Sequence, residues 1–138
     1  MKSIEQIQNE IIEDFSLFED WMEKYEYIID LGKNLSPVEE NLKNEEFLIP
    51  GCQSRVWLIP EFKNNKLHLL ADSDAIITKG IISMLVKVFN GRTPEEIKNS
   101  DLFFIEKIGL GENLSPTRAN GLAAMTKKIY HYADVFSK

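Results

Sequence analysis

Apolar residues fall at two different spacings, and the change of spacing divides the chain. Near the start, Ile4, Ile7, Ile11 and Phe15 recur every three to four positions, which places them on one face of a helix. Ser3-Ile4-Glu5-Gln6 has the form of a capping box that opens it. Ser16-Leu17-Phe18-Glu19 has the same form and predicts a restart, with Phe18, Trp21, Tyr25 and Ile28 as the next apolar face. Trp21 and Tyr25 read as core. Gly32 is placed to end that helix as a left-handed cap. Lys33 to Glu46 is polar, carries Ser36-Pro37, and predicts a loop with a short helical turn.

A compact set of strands follows. Phe47-Leu48-Ile49 predicts a first strand, Arg55 to Ile59 a second and Leu67 to Ala71 a third. Pro60 weakens the far end of the second strand or puts it on an edge. Asn64-Asn65 predicts a hairpin turn, because asparagine tolerates left-handed angles. That hairpin returns the chain near Asp72 to the side where residues 50–54 lie.

Helical spacing then resumes. Asp72-Ser73-Asp74 supplies N-cap side chains. Ile76, Ile77, Gly80, Ile81, Met84, Leu85 and Val88 make a face wide enough for a largely buried helix, stopped by Gly91. Gly80 inside it costs about 1 kcal/mol relative to alanine, and close packing against the sheet is the plain explanation. Thr93-Pro94-Glu95-Glu96 opens a short helix, Asp101 to Ile108 reads as another, and Gly109-Leu110-Gly111 breaks it. Ser115-Pro116 caps a last helix with Leu122, Met125, Ile129, Tyr132 and Phe136 as its core stripe. Helices, then strands, then helices predict an α+β fold: one domain over residues 1–138, with a small antiparallel three-stranded sheet covered by helices.

Composition changes this picture little. The 138 residues suit one domain with a sizeable core. The net charge is −6, with the excess acid mostly in the first half and no basic stripe, which argues against nucleic acid as a partner. No apolar run approaches a membrane span, and the acidic, amphipathic N-terminus is unlike a signal peptide. One cysteine cannot form an internal disulfide, which fits a reducing compartment. The expectation is a cytoplasmic protein, monomer or homodimer, that meets no membrane.

The candidate chemistry is at that cysteine. In Pro50-Gly51-Cys52-Gln53-Ser54-Arg55-Val56-Trp57, proline and glycine predict a sharp turn that presents Cys52 at a loop tip, which argues against burial. A lone cysteine is also commonly just a small buried hydrophobe. A hydrolase needs a histidine to activate the thiol, and only His68, in a strand, and His131, near the end of the last helix, exist. A metal scaffold needs several soft ligands, and a thioredoxin-like enzyme needs a second cysteine. Transfer of sulfur between proteins asks only for an accessible, partly ionised thiol and a docking surface.

The stretch Gly51-Cys52-Gln53-Ser54-Arg55-Val56-Trp57 resembles the Gly-Cys-Gln-Ser-x-Val-Trp motif of the SufE-like sulfur acceptors of iron–sulfur cluster assembly. Asp72-Ser73-Asp74-Ala75 with Lys79-Gly80 resembles the entry to that family's central helix. Leu114-Ser115-Pro116-Thr117-Arg118 through Gly121-Leu122 resembles the start of its last helix. The resemblance spans nearly the whole chain and implies the SufE/IscU-like fold, shared with the scaffold proteins of iron–sulfur assembly. It implies that Cys52 accepts sulfur as a persulfide from a SufS-like cysteine desulfurase, stimulates that enzyme, and passes the sulfur to a SufBCD-like scaffold. The pyridoxal phosphate belongs to the desulfurase, and no cofactor is expected here. Gly51, Gln53, Ser54, Asp74 and Arg118 are the supporting candidates. Gln53 and Ser54 have hydrogen-bonding groups for the loop or the carried sulfur. Asp72 and Asp74 are explained as helix caps. Arg118 lies in the first turn of a helix, where the dipole disfavours a cation; pairing with Asp74, a place near the Cys52 thiolate, and simple exposure are its three readings. A non-catalytic adaptor binding a partner through the Cys52 loop is the competing function, with a thiol-dependent hydrolase more distant.

Overall fold

The computed structural model describes residues 2–138. The chain runs α1 (Ile4–Phe15), α2 (Trp21–Gly32), β1 (Val56–Lys63), β2 (Lys66–Ser73), α3 (Ile76–Phe89), α4 (Pro94–Lys98), α5 (Phe104–Lys107) and α6 (Pro116–Phe136), with 3₁₀ turns at Glu40–Leu42 and Gly111–Asn113. This is an α+β order. No described helix is long and apolar enough to cross a membrane.

Helix α3 is the centre of the core. Ile81, Ile82, Met84, Leu85, Val88 and Phe89 are almost completely buried, and the helix packs on α1, α2, α6 and β2. Gly80 is explained by α2 rather than by the sheet. A Cβ at Gly80 would lie 2.0 Å from the Ile28 carbonyl oxygen, and one at Gly32 would lie 2.8 Å from the Gly80 nitrogen. The two helices therefore touch backbone to backbone. Gly32 serves this crossing rather than a left-handed cap, because it is still helical and Lys33 after it is right-handed.

The capping boxes form at Ser3/Gln6 and Thr93/Glu96, and Ser115 accepts from the Arg118 N–H. The restart after α1 differs from expectation. Ser16 turns its hydroxyl back to donate to the Glu13 carbonyl, and Asp20 caps α2 by accepting from the Glu23 N–H. Buried Gln8 joins α1 to the start of α5. Its carbonyl accepts from the Phe103 and Phe104 N–H groups, and its amide donates to the Asp101 carbonyl.

The strands β1 and β2 form the expected hairpin. Asn64 and Asn65 take φ of 54° and 62°, the pair of left-handed residues that a two-residue turn with the right twist requires. Val56 pairs with Ser73 at the open end, beside the Cys52 loop. The third strand does not form, and among the described residues the sheet has two strands. Leu48 makes one isolated bridge to Trp57, where Leu58 N–H donates to Phe47 and Ile49 N–H donates to Val56. Beyond it, Pro50 has no N–H to continue a ladder and Gly51 turns the chain at φ 88°. Since Leu58 N–H points outward from the hairpin, alternation puts the Pro60 nitrogen on that same outer edge, where no donor is missed.

Candidate functional site

The base of the Cys52 loop is clamped to the junction of β2 and α3. Arg55 N–H donates to the Asp74 carboxylate at 3.0 Å, and Asp74 N–H donates back to the Arg55 carbonyl at 3.2 Å. The Ser73 hydroxyl donates to the same carbonyl at 2.8 Å and accepts from the Ala75 N–H. Asp74 is thus a loop anchor. Neither Asp72 nor Asp74 caps α3, whose N-cap residue is Ala75, with no side-chain bond to the helix.

Asp72 forms a separate tie. It accepts from the Ser73 N–H and pairs with Lys43 at 2.6 Å and Lys79 at 3.3 Å, which pins the 33–46 loop to the sheet. Burial pushes the Asp72 carboxyl up, but the bonds from Lys43, Ser73 and Lys79 outweigh it and hold the group below the usual carboxylate range. Lys43 also lies over the half-buried Trp57 ring.

Cys52 is half-buried rather than fully presented. Its thiol turns toward α6 and donates a long, weak contact to the Gly121 carbonyl at 3.7 Å. A Cβ at Gly121 would lie 3.4 Å from the sulfur, an ordinary contact, so the thiol lies close against this turn of α6. A small cavity of about 70 Å³ adjoins the sulfur. Gln53 and Ser54 border it from the loop, Thr78 and Ile81 from α3, and Thr117 and Arg118 from α6. Burial pushes the thiol above its ordinary range. At rest the group is held as the thiol, not as a standing nucleophile.

The supporting candidates separate. Gln53, Ser54 and Arg118 come together around the cavity, and exposed Gly51 supplies the turn before it. Arg118 forms no ion pair with Asp74 among the described residues. Neither histidine reaches the cavity: His68 lines a different one, and His131 is exposed on α6. Sequence reading did not place Thr78, Ile81, Thr117 or Met125 at the site: Ile81 and Met125 were read as core, Thr117 only as part of a matching block, and Thr78 not at all. Helical spacing was the available signal, since Thr78 and Ile81 share a face of α3, as do Thr117, Gly121 and Met125 on α6.

Comparison with known proteins places the chain as a whole. The family model described as SufE, Fe-S metabolism associated domain, matches residues 9–133. An uncharacterized SufE-like protein of Rhizobium etli is 39% identical over 132 residues, covering 92% of this chain and 89% of its own length. One from Rhizobium meliloti is 37% identical over 131 residues, covering 91% and 94%. The solution structure of a hypothetical protein from Thermus thermophilus has the same fold, with a TM-score of 0.76 at 17% identity over 94% of this chain and 95% of that one. A family match over nearly the whole chain, joined to two relatives well above 30% identity, leaves one conclusion: the chain belongs to the SufE family, a domain associated with iron–sulfur metabolism.

Proposed function

We propose that the protein accepts sulfane sulfur on Cys52 from a pyridoxal-phosphate-dependent cysteine desulfurase, stimulates that enzyme by relieving it of its product, and hands the sulfur to an iron–sulfur cluster scaffold. The observation that carries this reading is the chain's one cysteine lying half-buried against Gly121, beside a cavity of about 70 Å³. That volume exceeds the ~30 Å³ a water molecule occupies in the liquid, so one added sulfur atom fits beside the thiol.

The step balances without a cofactor in the acceptor. The Cys52 thiolate attacks the terminal sulfur of the donor's persulfide. A new S–S bond forms on Cys52, the donor's S–S bond breaks, and the donor leaves as a thiolate. The terminal sulfur keeps its proton, or gives it to the departing thiolate, and there is no net oxidation. Shielding suits a carrier, because a sulfur turned into a cavity is kept from small reductants. The same burial opposes ionisation, so the partner's docking has to draw the loop outward before attack. The clamp at Arg55, Ser73 and Asp74 holds the loop's base while its tip moves.

Intact mass spectrometry tests this directly. After mixing with an active cysteine desulfurase and free cysteine, the protein gains one sulfur atom, mapped to Cys52 and removed by reductant. Cys52→Ser gains none and no longer stimulates the desulfurase. A Cys52→Ser protein that stimulates as well as the parent would make this an adaptor instead.

A further inference from the structure

A second site lies at the free edge of the sheet, away from Cys52, and it does not depend on the sulfur-acceptor reading. The parity of the hairpin shows which backbone groups point there. Leu67 N–H donates to Arg92 at 2.7 Å, and the Leu67 carbonyl accepts from Gly91 at 2.9 Å, so both its groups face away from β1. Strand period then turns the backbone groups of Leu69 and Ala71 the same way. The outward bond from Leu58, which is paired with Ala71, to Phe47 confirms the parity from the other side.

This edge is covered in part. Arg92 and Gly91 take Leu67, and the Asn90 side-chain oxygen accepts the Leu69 N–H at 2.8 Å. Beyond that point, the Leu69 carbonyl and both backbone groups of Ala71 have no protein partner among the described residues. Ala71 is only 2% exposed. Buried main-chain groups are paired in folded proteins with few exceptions, so an open donor and acceptor here call for an explanation.

Those groups border a recess of about 490 Å³ lying between the edge, α3 and the C-terminal end of α2. Ile11, Leu31, Leu35 and Met84 give it apolar walls, with Asn34, Ser36, Ser83 and Asn90 as polar groups beside them. His68 and Lys87 stand in its lining, and no carboxylate does, although the chain as a whole carries a net charge of −6. The size is that of a ligand site.

We propose that this recess binds an extended peptide segment of a partner protein, which adds to β2 as a short third strand. The peptide's backbone pairs with Ala71 and the Leu69 carbonyl. One apolar side chain enters the interior, and an acidic side chain or terminal carboxylate meets Lys87 and His68. Ala71 lines the recess rather than the outer surface, and pairing with a second copy is the outcome that the dimerisation arm of the test separates.

Amide hydrogen exchange on the full chain is the first test. In the free protein the Leu67 and Leu69 amides are protected and the Ala71 amide exchanges much faster. Ala71 protected to the same degree as Leu69 in the free monomer would overturn the inference. A random heptapeptide library with free C-termini is then selected on the protein, and the best sequence is synthesised. It is expected to carry a carboxylate next to an apolar residue, to slow Ala71 exchange on binding, and to bind about tenfold more weakly to Lys87→Glu, a change at an exposed position. No enriched peptide, or one that leaves Ala71 exchange unchanged, or protection of Ala71 that appears only on dimerisation, would each refute the proposal.

Discussion

Gly80→Ala is the sharpest single test of how this fold is held. The added Cβ would lie 2.0 Å from the Ile28 carbonyl oxygen and 2.6 Å from the Ile28 carbonyl carbon and Cγ2. Carbon and oxygen approach to about 3.3 Å at closest in ordinary contacts, so α2 has to retreat by roughly 1 Å. The obstacle is main chain, not the end of a flexible side chain, so the cost sits near the top of the overpacking range, about 3 kcal/mol. Alanine's better helix propensity returns about 1 kcal/mol. The net loss of about 2 kcal/mol is a large share of a stability of ~5–15 kcal/mol and lowers Tm by roughly 5–10 °C. Gly121→Ala is the control. It has the same propensity gain in the same type of element, but its Cβ meets Cys52 Sγ at an ordinary 3.4 Å, so it leaves stability unchanged or raises it by up to about 1 kcal/mol. Thermal unfolding of both variants decides the matter. A Gly80→Ala protein that melts at or above the parent would refute the backbone-contact argument, and equal shifts for both variants would show that propensity alone was being read.

Three further outcomes follow from the same contacts. Gln8→Leu keeps the volume but strips the Phe103 and Phe104 N–H groups and the Asp101 carbonyl of their partner, and urea unfolding should show a loss of about 2–4 kcal/mol. Alkylation of Cys52 by iodoacetamide should rise with pH through an inflection above the ~8.5 of a free thiol, since burial favours the protonated form, and in denaturant the inflection should return to the ordinary value. Asp72→Asn should destabilise the fold at neutral pH. Because the folded carboxyl is held below its unfolded value, the parent's advantage is complete above about pH 4 and fades as pH falls through the folded pKa, which paired unfolding curves from about pH 7 to 3 would reveal.

The fold was legible wherever a local rule was enough. Asn64-Asn65 tolerates left-handed angles and takes them, and Thr93-Pro94 with Glu96 favours a helix start and makes one. Two of the failures share a physical cause, which is that a residue with a local use found a tertiary one. Asp74 has the chemistry of a cap but accepts from Arg55, nineteen residues away along the chain. Gly32 has the chemistry of a helix stop but lets α3 approach α2. Phe47-Leu48-Ile49 has strand composition, yet a strand needs a ladder, and Pro50 ends it after one bridge.

The site divides along the same line. Cys52 and its turn were readable because their chemistry is carried by adjacent residues. The cavity was not, because it is assembled from α3 and α6 across the core. Thr78 on α3 and Thr117 on α6 are each ordinary helix residues in sequence and become neighbours only through packing. Gly121 is the clearest instance. On the sequence it is one more residue of a matching block, whereas in the fold its carbonyl is the group the sulfur rests against. The thiol is shielded by the α6 backbone on one side and by the side chains that line the cavity on the other. Under the proposed function this matters for control: the sulfur meets a donor only when the Cys52 side chain or its loop turns away from α6, and the long contact to the Gly121 carbonyl is all that such a turn breaks on the helix side.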